Sequence, residues 1–452
     1  MTLDSDVIVV GAGHAGCEAA LASARMGCRT LLFCIYLDTV AHMPCSPSVG
    51  GIGKGHLVKE IDALGGEMAK VSDLTAIQFR RLNMKKGPAV RGTRTQNDKV
   101  RYRTLMKHRI ESQENLRLTQ ALVDSLVVED GRVVGVVDQL GTFFGAQAVV
   151  LATGTFLHGL IHIGTAQIPS GRAGEFPSNA LADQLQQLGF RLGRMKTGTP
   201  ARIHRMSIDF SAFKEQEGDP EPRPFSLFTE AVPLPQVSCF MGKTREATHR
   251  IVRGNIQLSP LYNGTIRGVS ARYCPSLEDK VMKFPHKDFH QIILEPEGLD
   301  TEEIYASGTG NSLPYEVQLK LVRSIAGLEE AQVMRPAYAI EYEGSRAEAL
   351  AAVAGQLKGE EKEAVLRKAL DATLAIGNEG WRAQALVRMS HHLDKNTALL
   401  HTIACLHWLE NKKRSELLKI CSELFPNLAL RPKTYESIAG HLIDICSTWR
   451  WL

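Results

Sequence analysis

The stretch that most constrains this chain is its beginning. Asp6-Val7-Ile8-Val9-Val10 is followed by Gly11-Ala12-Gly13-His14-Ala15-Gly16 and then by a helix-forming run, Cys17 to Arg25. Four consecutive β-branched apolar residues read as a short strand buried in a parallel sheet. The glycines then follow at G-x-G-x-x-G spacing. Gly11 permits the tight turn, Gly13 lets the backbone approach a pyrophosphate, and Gly16 lets the helix pack on the strand. The helix N-terminus offers free N–H groups and the positive end of its dipole to phosphates. A glycine-rich turn with no ligand is the plainer alternative. The position of these glycines, directly between a strand and a helix, favours a dinucleotide site.

The chain has 452 residues, enough for two or three domains. Its net charge is only +4, so an acidic partner has to be met by a local basic patch. No apolar run approaches the roughly 20 residues that span a bilayer. The first strand begins within a few residues of Met1, which leaves little room for a leader peptide. Nine cysteines without a C-x-x-C pair resemble neither a disulfide framework nor a zinc site, and a reducing, cytoplasmic setting is the expectation.

Arg29 to Cys34 reads as the second strand of the β-α-β unit. Many dinucleotide folds place an acid at the end of this strand to grip a ribose hydroxyl. Cys34 stands there instead and Asp38 comes late, so the choice of dinucleotide stays open. Gly50, Gly51, Gly53 and Gly55 follow Cys45 and imply a backbone lying against a ligand or in tight turns. Lys54 lacks P-loop spacing, which excludes that kind of nucleotide hydrolase. A thiol such as Cys45, between Pro44 and Pro47, is structural more often than reactive, but a nearby helix N-terminus or lysine would activate it. A helical run follows from Leu57 to Ala63.

Arg80 to Arg109 is strongly basic, with Asp98 its only acid. It reads either as a surface for RNA or cofactor phosphates, with Lys99 and Arg103 as candidates, or as a solvated helix face from Asp98 onward. Ala121 to Val137 reads as a β-hairpin, and Ala148 to Thr155 as a buried strand ending in a small-residue turn. That A-T-G ending resembles the return strand of two-dinucleotide flavoproteins, which favours FAD over NAD at the first site. Ser170–Glu175 and Met195–Pro200 read as polar glycine turns around a helix, Asn179–Leu188. Residues 201–265 look Pro-rich and irregular, an inserted layer.

Longer motifs then carry a specific resemblance: GAGHAGCEAA, CSPSVGGIGKGHLVKEIDALGG, KGPAVRGTRTQNDKVRYR, ATGTFLHGLIHIG, SGRAGEFPS, RMKTGTPARI, SARYCPSLEDKVMKF, LEPEGL and MRPAYAIEYE. Over about residues 4–343 the chain resembles the large FAD-binding subunit of the tRNA uridine 5-carboxymethylaminomethyl modification enzyme, the MnmG or GidA family. The resemblance implies an FAD enzyme that uses NADH and a one-carbon folate donor. It would modify C5 of the wobble uridine of tRNA together with an MnmE-type GTPase, as a homodimer.

In that reading Gly11, Ala12, Gly13, His14, Ala15 and Gly16 hold the FAD pyrophosphate, with Val123 and Ser178 as further flavin contacts. The nicotinamide-dinucleotide segment is Ser270, Ala271, Arg272, Tyr273, Cys274, Pro275, Ser276, Leu277, Glu278, Asp279, Lys280, Val281, Met282, Lys283 and Phe284. Cys45 and Cys274 match the family's two functional cysteines, which reverses the structural reading of Cys45.

After Glu343 the pattern changes. The family's A-G-Q-x-N-G loop is not matched, because Leu357-Lys358 follows Ala354-Gly355-Gln356. All four tryptophans (Trp381, Trp408, Trp449, Trp451) lie here. Ser345-Arg346-Ala347-Glu348-Ala349-Leu350 recurs 36 residues later as Trp381-Arg382-Ala383-Gln384-Ala385-Leu386. This tail resembles TPR- or HEAT-type helical repeats that bind an unidentified protein partner.

The expected architecture is therefore an α/β chain. A Rossmann-like FAD-binding domain (1–200) precedes an inserted region (201–265), then an NAD-associated, second dinucleotide-binding segment that returns to the core (266–343). An all-α helical-repeat domain (344–452) ends the chain. The alternative is a non-catalytic flavin domain fused to a protein-interaction repeat.

Overall fold

The computed structural model describes residues 5–270 and 275–345. The opening motif folds as read. Strand β1 (Ser5–Val10) turns through the glycines into helix α1 (His14–Arg25), which leads to β2 (Thr30–Cys34). A small antiparallel layer follows, made of β3 (Ser48–Gly50), β4 (Ala76–Leu82) and β5 (Gly92–Asn97) with α2 (Gly55–Ala63) and α3 (Met68–Thr75) between them. Helix α4 (Lys99–Glu111) returns the chain to β6 (Leu116–Gln120), β7 (Val123–Glu129), β8 (Arg132–Asp138) and β9 (Phe143–Leu151).

The first sheet runs in the order β6-β2-β1-β9-β8-β7. Its β6-β2-β1-β9 half is parallel and the β9-β8-β7 half antiparallel. β1 lies between two parallel neighbours, which is why its sequence is apolar throughout, with Ile8 and Val9 fully buried. Small residues let α1 approach: Gly16, Cys17, Ala20 and Ala24 share its buried face with Leu21. Tyr102, Met106 and Ile110 recur every four residues on α4 and enter the same core.

The remaining elements are β10 (Leu160–Ile163), β11 (Ala166–Pro169), α5 (Asn179–Gln187), β12 (Leu192–Thr199), β13 (Arg202–His204), β14 (Lys214–Gln216), β15 (Cys239–Lys243), α6 (Glu246–Gly254), β16 (Val269–Ser270), α7 (Leu277–Lys283), β17 (Gln291–Pro296), β18 (Glu303–Ser307), α8 (Tyr315–Arg323), β19 (Val333–Arg335) and β20 (Tyr338–Ser345). Strands β11 and β20 flank β10, both antiparallel to it.

Three expectations are corrected here. Met195–Thr199 belongs to strand β12 rather than to a turn. Residues 201–265 are only partly irregular: 217–238 carry no helix or strand, but β13, β14 and β15 join β17, β18 and β19 in one sheet ordered β14-β15-β17-β18-β13-β19. Every pairing in that sheet is antiparallel, so among the described residues the second region has no parallel β-α-β nucleotide unit. Its core comes from Ile292, Leu294 and Ile304 on the sheet and Val252, Val281, Leu321 and Val322 on helices. Residues 196–268 and 273–343 fall in the same compact unit as the first 190 residues. The expected helical-repeat domain and the residues named in it from Arg346 onward lie outside the described residues.

Candidate functional site

The glycine turn builds one wall of a cleft enclosing about 1020 Å³, open solvent included. Gly11 has φ +103°, and a Cβ there would overlap the Ala152 carbonyl oxygen. A Cβ at Gly16 would overlap the Gly11 carbonyl, so α1 could not sit this close to β1 with any other residue. Gly13 differs, because a Cβ there would meet nothing within 4 Å. Its open side is the approach to the α1 N-terminus, and no side chain caps that end. The first N–H groups are therefore available to an anion.

Gly11, Ala12, Gly13, His14, Val123 and Ser178 all line this cleft, whereas Ala15 and Gly16 do not. Burial, with Arg172 nearby, pushes His14 down to about 4, so the ring is neutral at physiological pH. At the end of β2, Cys34 lines the cleft where an acid is common, and its thiol donates to the Tyr36 carbonyl at 2.8 Å. The late Asp38 faces solvent. Glu175 is the only carboxylate of the described lining, and both its oxygens accept from Arg172, at 2.6 and 2.7 Å. The cradle fits a dinucleotide pyrophosphate, with no spare carboxylate for a ribose hydroxyl.

His42 and Pro44 line the same cleft, and the next residue, Cys45, lines a second cavity of about 670 Å³, open solvent included. The Cys45 thiol lies 3.3 Å from the Gly198 carbonyl oxygen and 3.6 Å from the Tyr305 hydroxyl. Its backbone is fixed by Arg202, whose Nη2 donates to the Pro44 and Cys45 carbonyls at 2.8 and 3.0 Å. Nη1 donates to the Pro200 carbonyl and the Thr199 hydroxyl, and Nε to Glu297 at 2.8 Å. Lys99 completes the cluster 2.9 Å from Glu297. Burial opposes the Glu297 charge, but Lys99 and Arg202 outweigh it and hold the carboxyl below its usual range. Burial, with Cys45 and Glu295 close by, raises the Tyr305 phenol well above its usual value. The Arg202 guanidinium also stacks over the Tyr305 ring, 5.0 Å from its centroid.

With this geometry in view, the likeness to known proteins is specific. A family model described as Glucose inhibited division protein A matches residues 6–362. The chain belongs to the GidA family. The tRNA uridine 5-carboxymethylaminomethyl modification enzyme MnmG of Syntrophobacter fumaroxidans is 76% identical over 338 residues, covering 75% of this chain and 53% of that protein. The MnmG of Geobacter sulfurreducens is 60% identical over 338 residues, covering 75% of this chain and 54% of its own. The structure of Aquifex aeolicus GidA in the form I crystal matches with a TM-score of 0.73 and 39% identity, covering 96% of this chain and 78% of that one. The chain spans about half the length of the curated relatives it matches.

The GidA-type segment expected to meet a nicotinamide dinucleotide is divided. Ser270 ends β16, while Ala271, Arg272, Tyr273 and Cys274 lie outside the described residues. Pro275, Ser276 and Lys280 line the Cys45 cavity. Leu277 and Val281 are core residues. Glu278 is fully buried; its Oε1 accepts from the Ser312 N–H and hydroxyl and from the Ser259 hydroxyl, tying loops together, while Oε2 has no hydrogen-bond partner among the described residues. Asp279 is buried too, accepting from the Ser276 N-cap and the Tyr262 hydroxyl. Met282, Lys283 and Phe284 end α7 on its exposed side, with Lys283 paired to Asp279 at 2.8 Å.

The basic stretch, read as a phosphate-facing surface or as a solvated helix face from Asp98 onward, is divided: Arg101 and Arg109 are exposed on α4, and other cations are paired inside. Lys99 is buried on Glu297, Arg94 pairs with buried Glu295, and Arg109 pairs with Glu67. Lys107 lies 3.8 Å from both Asp38 and Glu111. Exposed lysines remain on the loop after β4, at Lys85 and Lys86. Of the two readings of the glycines after Cys45, the tight turns are seen at Gly50, Gly51 and Gly53, all with positive φ, and Gly50 and Gly55 also pack closely on Thr93, with Phe225 against Gly50. Arg202, Glu297 and Tyr305 were not singled out in the sequence, although Arg202 stands inside the motif RMKTGTPARI.

Proposed function

We propose that this chain is the FAD-binding part of a tRNA wobble-uridine C5 modification enzyme that installs a carboxymethylaminomethyl group. The observation that carries the reading is the continuous segment from His42 to Cys45, which lines the dinucleotide cleft at one end and places a thiol in a second cavity at the other. The names and high identity of the MnmG relatives support the same reading.

Gly11 to Gly16 and the α1 N-terminus would hold the FAD pyrophosphate, with Val123 and Ser178 lining the rest of the cleft. Bound flavin supplies the hydride chemistry, with NADH as reductant and a folate as one-carbon donor. The chain's own contribution is positioning. Arg202 fixes the Cys45 loop, neutral His14 adds no charge beside the cradle, and the Cys45 thiol is the nucleophile that adds to an activated pyrimidine or captures a one-carbon unit. Cys274 is the second thiol of this reading.

An MnmE-type GTPase, a homodimeric assembly and a cytoplasmic setting belong to the same proposal. Among the described residues no helix is long and apolar enough to cross a membrane. Incubation of the chain with FAD, NADH, the folate donor, the GTPase and unmodified tRNA tests it. Modified wobble uridine that disappears with Cys45→Ser supports the reading, and modification that is indifferent to Cys45 overturns the thiol's role.

A further inference from the structure

The Tyr305 hydroxyl, on β18, has one hydrogen-bond partner among the described residues, the Cys45 sulfur at 3.6 Å. The direction of that bond follows from the protons. A thiol carries one, and Cys45 donates its own to the Gly198 carbonyl at 3.3 Å. The proton between the tyrosine and the sulfur is therefore the tyrosine's, and the sulfur accepts it.

Sheet register explains why these groups meet. Arg202 on β13, Tyr305 on β18 and Glu295 on β17 are direct cross-strand partners, so the three side chains share one face. Arg202 stacks on the Tyr305 ring and holds the Cys45 carbonyl, which fixes hydroxyl and sulfur against each other. Burial, with Cys45 and Glu295 nearby, keeps the phenol protonated at physiological pH, so its donor is always present.

The two bonds act on the sulfur in opposite senses. Gly198 accepts only from the thiol and favours that form. Tyr305 can donate to the thiol or the thiolate, and donates more strongly to the anion. The other ionisable groups around the sulfur are Arg202, Glu295 in its pair with Arg94, and Lys196, Lys280 and Tyr338 on the cavity wall. The cations favour the thiolate and Glu295 opposes it.

We infer that Tyr305 is a positioning residue for Cys45, whose hydroxyl donates to the sulfur and stabilises it as the thiolate. On ionisation the thiol proton leaves to solvent and the bond to Gly198 goes with it. The tyrosine keeps its own proton, and its bond to the sulfur becomes a charged one. The use of that thiolate as a nucleophile rests on the proposed function, whereas the hydrogen bond is read from the geometry alone.

Alkylation of Cys45 by iodoacetamide in the full chain tests it, read by mass spectrometry against pH over the range where the far-UV circular dichroism is constant. The thiolate sulfur displaces iodide, so the rate follows the ionised fraction. The wild-type midpoint should lie below the roughly 8.5 of a free thiol. In Tyr305→Phe it should rise by about one pH unit or more, the tenfold worth of a hydrogen bond to a charged group. The rate on the high-pH plateau should change by no more than about threefold, because nucleophilicity follows thiol basicity with a slope of about 0.4–0.5.

An unmoved midpoint, whatever the plateau does, would leave Tyr305 a packing role only and overturn the inference. A wild-type midpoint at or above about 8.5 would also overturn it, and that reading needs no variant to fold. Wobble-uridine modification by the same preparations is a separate readout. A raised midpoint in Tyr305→Phe, while wild type modifies no tRNA, keeps the hydrogen bond and rejects the proposed reaction. An unmoved midpoint, while Cys45-dependent modification persists, rejects the hydrogen bond alone.

Discussion

The Arg202 guanidinium donates to the backbone carbonyl of Cys45 at 3.0 Å across 157 residues of sequence. The same side chain donates to Pro44, Pro200, Thr199 and Glu297, so every direction of its planar fork is used. The position of the thiol therefore depends on a buried charge cluster that never touches it directly.

Arg202→Gln removes the fork and leaves Glu297 with Lys99 alone. Breaking a buried pair in this way costs about 3 kcal/mol or more. The urea midpoint should fall accordingly, and Cys45 should react faster with neutral alkylating reagents as its loop loosens. An unchanged midpoint would contradict the clamp.

Gly16 and Gly13 separate packing from ligand binding. Gly16→Ala forces a Cβ onto the Gly11 carbonyl and should destabilise the fold by about 2 kcal/mol or more, in the range of overpacking. Gly13→Ala meets open space at an extended backbone angle, so its cost should stay near the roughly 1 kcal/mol of a lost N-cap preference. Its effect should instead appear in flavin affinity, because the added methyl stands where the pyrophosphate approaches. Titration of both variants with FAD, beside their urea midpoints, distinguishes the two roles.

Acid should weaken the fold through two half-buried imidazoles, His14 and His42. Burial and Arg172 push His14 down to about 4 and His42 down to about 3, against about 6.5 in an unfolded chain. As pH falls, the unfolded chain takes up these protons first. The stabilisation is complete above about 6.5 and is lost as pH drops toward the folded values. Urea midpoints should decline between about pH 7 and pH 5, and His14→Gln should recover part of the decline. A midpoint that rises over this interval would contradict the assignment of neutral rings.

RNA contact should fall on exposed lysines rather than on buried ones. Replacing Lys85 and Lys86 by alanine should weaken tRNA binding and lower the slope of log K against log salt by about 1.5, near 0.7–0.9 per phosphate contact. Lys99→Met should leave that slope unchanged and reduce stability instead, because Lys99 is held on Glu297 inside the protein. An unchanged slope in the double variant would contradict this placement.

Much of the first sheet was legible because its signals are local. The strand, turn and helix from Asp6 to Arg25 are each fixed by residues next to one another, and the hairpin turns at Asp130-Gly131, both with positive φ. Strand β12 was misread because Thr197-Gly198-Thr199 has turn composition. In the fold Gly198 is needed for close approach, since a Cβ there would lie 2.9 Å from the Tyr338 carbonyl. The basic stretch was misread for a similar reason, because the acids that neutralise Arg94 and Lys99 lie at Glu295 and Glu297, some 200 residues away. No periodicity reports such pairs. Cys45 stood out between its prolines but took a reactive role only through family motifs, and Arg202, which positions it, was visible in the same motifs without a role.

The cleft beside Gly11 to Gly16 is proposed to bind flavin, and it adjoins the Cys45 cavity through the consecutive residues Pro44 and Cys45. The absorbance spectrum of the purified chain, before and after addition of FAD and then NADH, tests it most directly. A yellow protein is expected, whose flavin bands shift on binding and are bleached by NADH, with a Gly13→Ala variant that folds but holds flavin more weakly. A wild-type chain that folds but remains colourless after incubation with FAD would contradict it.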